Sequence, residues 1–479
     1  MSKIGLGLVL SIFTSIAVAD SYQDWLKFQN LEYIQYKKSL DEEFSDMLKK
    51  DWEEFQSKST PSAYKKQKPI ELPTLSKPID TPKIEIKKSP IVKTIPIKKS
   101  EIQKSIQIEQ KIKKLDNFYT SSFDFYSEKI TLQYDKKTSF HLKSIDKNSI
   151  SQFWDMMSKT QYKKLLEQIT KEEKKLNLND WAKYQFLFKL GFEIFKDKNS
   201  ANLFTWFSLV KMGFDTKVGY NDNTIYLMST MQHNLFQISF FTLKNKKYYI
   251  LTPSGKIKDV GSIYTYAGEY PNATNALSFS MKSELKLYNN IKAKSLKFTY
   301  DKENYTIKSQ YSTDLVDFYK TFPQSDYNIY FTTQNSTPLA NSILQTLAPL
   351  VEGKSEIEAV NLLLRFVQTS FKYKTDQNQF NAEKVMFPEE TIFYPYSDCE
   401  DRSILFSYLV KNLLNLDIIG VKYSDHLTTA IAFSSQISGD NFKYKDIQYT
   451  ITDPTYINAN AGVSMPKYKN SSFKIISLR

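Results

Sequence analysis

The chain has 479 residues, with 65 Lys+Arg against 52 Asp+Glu for a formal charge of +13, and one cysteine. A single cysteine excludes an intramolecular disulfide, a four-thiolate zinc site and a cysteine-bound iron–sulfur cluster. A content of 41% hydrophobic and 15% aromatic residues excludes a wholly disordered chain, and at roughly 150 residues per domain the length admits two or three domains.

Residues 1–19 read as an export signal: Lys3, an apolar run over 4–18, and the small-residue site Ala17-Val18-Ala19 before Asp20. The run falls short of the ~20 residues that a membrane span needs, and no later stretch is apolar enough. The mature chain is therefore expected outside the cytoplasm, periplasmic or extracellular, with no transmembrane span after signal cleavage. Residues 20–58 read as an amphipathic helix with Phe44, Leu48, Trp52 and Phe55 on one face. That stripe is expected to pack on the body or on an envelope protein partner. Residues 59–115 hold seven of the sixteen prolines, with fourteen lysines against five acidic residues and no glycine. This composition predicts an extended polyproline-like linker. It carries nine of the thirteen net charges, so the basicity belongs to a spacer, and no nucleic-acid partner is expected.

In the body, the alternation of Phe123, Phe125, Ile130, Leu132 and Tyr134 predicts a strand or hairpin. Helices are expected over 147–174, 180–195 and about 200–212, then strands over 215–220, 224–230, 235–242 and 247–251. Residues 256–335, rich in Ser, Thr and Tyr, alternate in short segments such as Leu277-Ser278-Phe279-Ser280-Met281. They read as a small β domain of sandwich type. Helical patterning returns at 339–351, 357–371 and 400–414, followed by strands over 416–421, 428–434 and 448–452. The fold class is α+β, multidomain.

The one cysteine lies in Tyr394-Pro395-Tyr396-Ser397-Asp398-Cys399-Glu400-Asp401-Arg402-Ser403, directly before the apolar helix of Ile404, Leu405, Tyr408, Leu409 and Leu413. Asp398 suits the N-cap, and Glu400 and Asp401 suit the positive end of the helix. Cys399 then sits in the first turn, where free backbone N–H groups favour a thiolate. The neighbouring acids oppose this, so a cationic partner is needed. Of the three histidines, His426 follows at the start of a strand, and Asp453 ends the next strand in Thr452-Asp453-Pro454-Thr455. A thiol at a helix start, an imidazole and a carboxylate on neighbouring strands make a Cys–His–Asp triad. No metal-ligand or cofactor motif accompanies it, and none is expected.

These residues resemble the transglutaminase-like branch of the papain-type cysteine enzymes, over about 336–479. The resemblance rests on Asp398-Cys399-Glu400-Asp401 opening a helix, His426 opening a strand and Asp453-Pro454-Thr455 closing the next. It implies Cys399 as nucleophile, His426 as general base and acid, and Asp453 orienting His426. It also implies acyl transfer from a peptide, protein or cell-wall amide, by a peptidase, amidase or transamidase. Ser397 stands where typical members have glycine, and no acidic calcium-loop pattern is evident. The oxyanion hole is expected from the Cys399 N–H plus an upstream group, with Tyr394 and Tyr396 as candidates. A non-catalytic envelope scaffold built on the same folds is the alternative reading.

The chain also echoes itself. Val210-Lys211 with the residues before them match Val410-Lys411, Tyr220-Asn221-Asp222-Asn223 match Tyr423-Ser424-Asp425-His426, and the segment 248–254 matches 449–455. In this register Asn199, Asn223 and Thr252 replace the triad, so 116–255 is expected to be a degenerate transglutaminase-like domain without thiol chemistry.

Overall fold

The computed structural model describes residues 22–61, 117–256 and 260–478. The export signal at 1–19 and nearly all of the linker at 59–115 lie outside the described residues. The described chain is mixed α+β, and none of its helices is long and apolar enough to cross a membrane.

Helix α1 (Tyr22–Leu48) is shorter than the sequence predicts. Trp52 and Phe55 do not continue its stripe; they lie on strand β1 (Trp52–Gln56), followed by β2 (Lys58–Ser59). The Trp52 indole N–H closes the last helical turn by donating to Leu48 O at 2.6 Å. The chain beyond is recruited by unpaired sheet edges, a tertiary demand that helical spacing cannot reveal. Phe44 does pack inward, against the rings of Trp154, Trp206, Tyr266 and Tyr270. Beside it Asp41 pairs with Lys211, both nearly buried, and the Lys211 ammonium lies over the Trp154, Tyr162, Phe207 and Tyr270 rings. Burial brings the Lys211 pKa down to about 8. Asp41→Asn leaves that cation without its counter-charge, and a loss on the order of 3 kcal/mol is expected. A lowered urea midpoint, with earlier proteolysis of α1, checks this.

The first half runs β3 (Phe118–Phe125), β4 (Glu128–Asp135), α2 (Lys147–Ser158), α3 (Tyr162–Leu176), α4 (Asp180–Phe195) and α5 (Lys198–Lys211). Strands β5 (Thr216–Tyr220), β6 (Ile225–Ser229), β7 (Ser239–Leu243), β8 (Lys246–Leu251) and β9 (Ser262–Tyr266) follow. The helix expected over 147–174 is broken: Thr160 Oγ1 donates to Met157 O, and Asp135 accepts from Gln161 N. The strands form one antiparallel row, β1-β9-β5-β6-β8-β7-β2. Only Ser57 separates β1 from β2, so the row closes on itself as a barrel.

The second half runs β10 (Ile291–Tyr300), β11 (Glu303–Ser312), α6 (Thr313–Lys320), α7 (Tyr327–Thr332), α8 (Thr337–Val351), α9 (Glu356–Ser370) and β12 (Lys372–Tyr373). Then come α10 (Asp376–Phe380), α11 (Pro388–Phe393), β13 (Tyr396–Ser397) and α12 (Cys399–Leu414). Strands β14 (Asp417–Lys422), β15 (Leu427–Ala432), β16 (Asn441–Tyr444), β17 (Ile447–Thr452) and β18 (Lys474–Ile476) form the row β16-β17-β15-β14-β18.

The small β-sandwich expected over 256–335 is absent from the described residues. β9 belongs to the first barrel, β10 and β11 form a two-stranded hairpin against α8 and α9, and α6 and α7 are helical. Alternation over 291–312 reflects one-sided packing of a hairpin on helices, which has the same period as a sandwich strand; Leu277, Phe279 and Met281 are buried from a segment that forms no strand.

The two halves repeat one plan. Each has a hairpin with a two-residue left-handed turn, at Tyr126-Ser127 and at Asp301-Lys302. Each has a buried central helix (α5, α12) packed on the helix pattern before it and followed by five strands in the order fifth-first-second-fourth-third. The third and fourth strands turn at Lys244-Asn245 and Lys445-Asp446, again left-handed. Tyr248 donates to Asp215 at 2.8 Å, and Tyr449 donates to Asp417 at 2.7 Å. Asn202 Nδ2 donates to Ile225 O, the first residue of β6; Ser403 Oγ donates to Leu427 O, the first of β15.

In the second half Glu389 staples three elements, accepting from Ser312 N at 2.5 Å and from Ser336, the N-cap of α8. Burial raises its pKa from 4.5 to about 7. The folded state therefore holds a proton that the unfolded chain releases, so this stability is full below pH 4.5 and is lost as pH rises through 7. The unfolding free energy should fall by about 2–3 kcal/mol between pH 5 and pH 8. Glu389→Gln should remove that slope in denaturant titrations.

Candidate active site

Asp398 is the N-cap of α12 and Cys399 its first residue. The turn is fixed from several sides. Asp398 N donates to Asp401 Oδ2 at 3.1 Å, and Met386 N donates to Asp401 Oδ1 at 2.9 Å. Arg402 is fully buried yet bonded throughout: Nε to Ser397 Oγ, Nη1 to Gln368 O at 3.2 Å and Nη2 to Phe371 O at 2.7 Å. Burial lowers its pKa to about 10, so it remains a cation at neutral pH. Arg402 thus ties the thiol-bearing turn to the end of α9.

His426 occupies the corner before β15, where Tyr423 N donates to His426 O at 2.8 Å. The Ser403–Leu427 bond, one helical turn past Cys399, holds α12 against that corner at 3.1 Å. Asp453 follows β17, which pairs with β15 through Thr429 and Thr452. His426 Nε2 lies 2.8 Å from Asp453 Oδ2, with both side chains buried. Because a carboxylate only accepts, Nε2 carries a proton there and Nδ1 is the nitrogen left for chemistry. Asp453 Oδ1 accepts from Thr455 N at 2.8 Å and Tyr456 N at 3.1 Å, which fixes the carboxylate. Gln368 completes the corner, donating to Asp453 O and Ala459 O and accepting from Asn458 N.

The structure therefore joins His426 to Asp453 directly and sets Cys399 one helical turn before Ser403, whose hydroxyl bonds the residue after His426. The thiol itself donates to Glu400 Oε2 at 3.1 Å. Exposures of 2% for Cys399, 5% for His426 and 2% for Asp453 mean that a substrate must displace a neighbour to arrive. The covering group is Tyr468, whose ring stacks on the imidazole at 5.0 Å and 11°. Its hydroxyl donates to Asp425, which Lys467 also grips at 2.6 Å. Burial, then the bond to Asp425, keeps the Tyr468 proton on well above the usual range, and charge at Cys399 and Asp453 acts in the same direction.

Of the two tyrosines proposed for the oxyanion hole, Tyr394 faces elsewhere. Its ring meets Phe380 and Phe393, and the charges acting on it are Glu390 and Asp317. Tyr396 lies on β13 with Lys374 over its ring. Tyr327, on α7, is a buried phenol with Lys422 over its ring; burial, then the charges of Glu400, Cys399 and Asp398, raise its pKa. Nothing local in the sequence points to Tyr327, because it arrives from a distant element. His141 is exposed and His233 meets Ser278, so neither shares the site.

Carboxylate oxygens of Asp376, Asp398 and Asp401, and of Asp376, Glu383 and Glu400, lie within 4.8 Å of one another. Asp376 and Asp401 already accept backbone amides from Lys384, Met386 and Asp398, so the cluster serves to pin loops onto α12.

The first half holds no cysteine. Its helix and strand starts set Lys198 on Cys399 and Thr224 on His426, one residue from the Asn199 and Asn223 that sequence matching selects. Asn199 instead staples α5 to β6, accepting from Ile225 N at 2.9 Å. Thr252 follows β8 as Asp453 follows β17. Comparison of the chain with protein-family models, with curated proteins and with solved structures finds no match.

Proposed function

We propose that the chain is an exported cysteine acyl-transfer enzyme of the transglutaminase-like kind, acting on a peptide, protein or cell-wall amide. The observation that carries this reading is the buried His426–Asp453 pair at 2.8 Å beside the first turn of the helix that bears the only cysteine. In this reading His426 Nδ1 takes the proton of the Cys399 thiol, and the thiolate attacks the amide carbonyl. Asp453 holds the imidazole in the required tautomer and stabilises the imidazolium. The Cys399 backbone N–H, in the first turn of α12, and the Tyr327 phenol are the groups suited to the developing oxyanion. His426 then protonates the leaving amine, the C–N bond breaks, and a thioester remains on sulfur. Water or a second amine releases the acyl group, which separates a peptidase or amidase from a transamidase.

In the same reading the second half is the catalytic domain and the first half a degenerate copy serving as a scaffold. A second reading, a non-catalytic envelope scaffold, draws on the contact between the thiol and Glu400 and on Tyr468 covering the imidazole. Incubation of the purified chain with extracellular proteins and with peptidoglycan fragments, wild type beside Cys399→Ala, separates the two. Products released or cross-linked by wild type alone are expected; identical product spectra would favour the scaffold.

A further inference from the structure

The first barrel is closed by chain from outside its own half. β1 pairs with β9 and β2 with β7, while Ser57 N donates to Gly261 O and Thr60 N to Ile238 O. Phe55 of that closing segment packs on the cluster of Met228, Phe241, Ile250 and Ile263. The equivalent edges of the second half are β18 and β16, and among the described residues neither pairs with a second strand. Across this seam the Phe442 and Phe473 rings meet at 4.7 Å. Phe473 and Ile447, 37% and 38% exposed, are two of the five large hydrophobics exposed among the described residues. The rim is basic, with Lys443, Lys445 and Lys474 against Asp446 in the turn.

We propose that this seam is a docking site for an extended, acidic, aromatic-bearing segment of another polypeptide, added as a strand across β16 and β18. The partner chemistry is that of Trp52-Glu53-Glu54-Phe55, which fills the corresponding seam of the first half. Strand addition takes its affinity from main-chain hydrogen bonds and its selectivity from alternate side chains; here those meet exposed aromatic surface and lysines. The chain's own 59–115 segment is the wrong chemistry, having fourteen lysines and seven prolines that lack an N–H. The seam also communicates with the thiol site. Phe473 meets Tyr423 at 5.7 Å, Tyr423 stacks on Tyr468 at 4.7 Å, and Tyr468 stacks on His426. A strand that reseats Phe473 therefore acts on the ring that covers the imidazole. Docking itself does not require Cys399 to be a nucleophile.

The test uses the full mature chain and a fluorescent peptide with the sequence of residues 51–57, followed by anisotropy and amide hydrogen exchange. Saturable binding is expected, with new protection at 441–444 and 474–476. A peptide with lysine in place of both glutamates, and the exposed double variant Lys443→Glu/Lys474→Glu, should each bind at least tenfold more weakly, the variant keeping its wild-type circular dichroism. Binding that ignores charge, or no binding, would show that the lysines merely guard an edge. Protection at β7 and β9 instead would mean that the peptide only replaces the chain's own strand. Strong protection of 441–444 and 474–476 before peptide is added would mean that the chain already fills the seam. Any of these four results overturns the proposal.

Discussion

His426→Ala should lower amide turnover by about 10³-fold or more while leaving the fold intact. The side chain is buried but lies at a loop corner before β15, and its one hydrogen bond among the described residues is to Asp453. In the proposed mechanism it performs two proton transfers, and a positioned acid–base group contributes on the order of 10²–10⁴ to rate. It also converts the thiol to a thiolate despite the Glu400 acceptor at 3.1 Å. Asp453→Ala should also lower turnover, by up to about 10⁴-fold, because the imidazole remains but loses its tautomer and orientation. Rates on any amide that wild type cleaves or transfers, with circular dichroism as control, check both. Equal rates in wild type and His426→Ala would remove the imidazole from the mechanism.

Arg402→Met should produce the largest loss of stability among single changes in the second half. The guanidinium is fully buried, donates to Ser397 Oγ and to the carbonyls of Gln368 and Phe371, and lies over the Tyr373 ring. Methionine fits much of the volume but abandons two buried carbonyls and a hydroxyl. It also leaves Asp398 and Asp401 without the nearby cation. Orphaned buried acceptors cost roughly 1–3 kcal/mol each, and breaking a buried ionic arrangement about 3–5 kcal/mol. The two overlap, so a total near 4 kcal/mol is expected, read from the urea midpoint. A change below about 1 kcal/mol would mean that the α9–α12 junction does not depend on Arg402.

Much of the second half is legible from residue pattern. Helix α8 announces itself by a single buried stripe, and α9, α12 and the strands β14, β15 and β17 by runs of consecutive residues buried on nearly every side. The site residues stand out because the only thiol opens a helix, a histidine stands just before one strand and an aspartate just after its neighbour. The residues that make the site rigid are silent in sequence. Gln368, Arg402, Tyr327 and Tyr468 act through partners far along the chain, and their types are ordinary for a helix or a turn. Trp52 and Phe55 mislead for a related reason. Their spacing suits a helix, but the free edges of β7 and β9 take that segment as a strand. The repeat is detectable from matching residues, yet its register shifts by one, since hairpin pairing and helix caps fix equivalence more firmly than similar side chains do.

The central claim, that Cys399 is a thiol activated by His426, is tested most directly by the pH profile of alkylation. With one cysteine in the chain, iodoacetamide labelling followed by intact mass reports on this thiol alone. Wild type should label across pH 5–8 at a rate that stays high below the ordinary thiol range near 8.5, and His426→Ala should shift the profile to that of an ordinary thiol. Superimposable profiles for the two proteins, or labelling only after unfolding, would contradict the account.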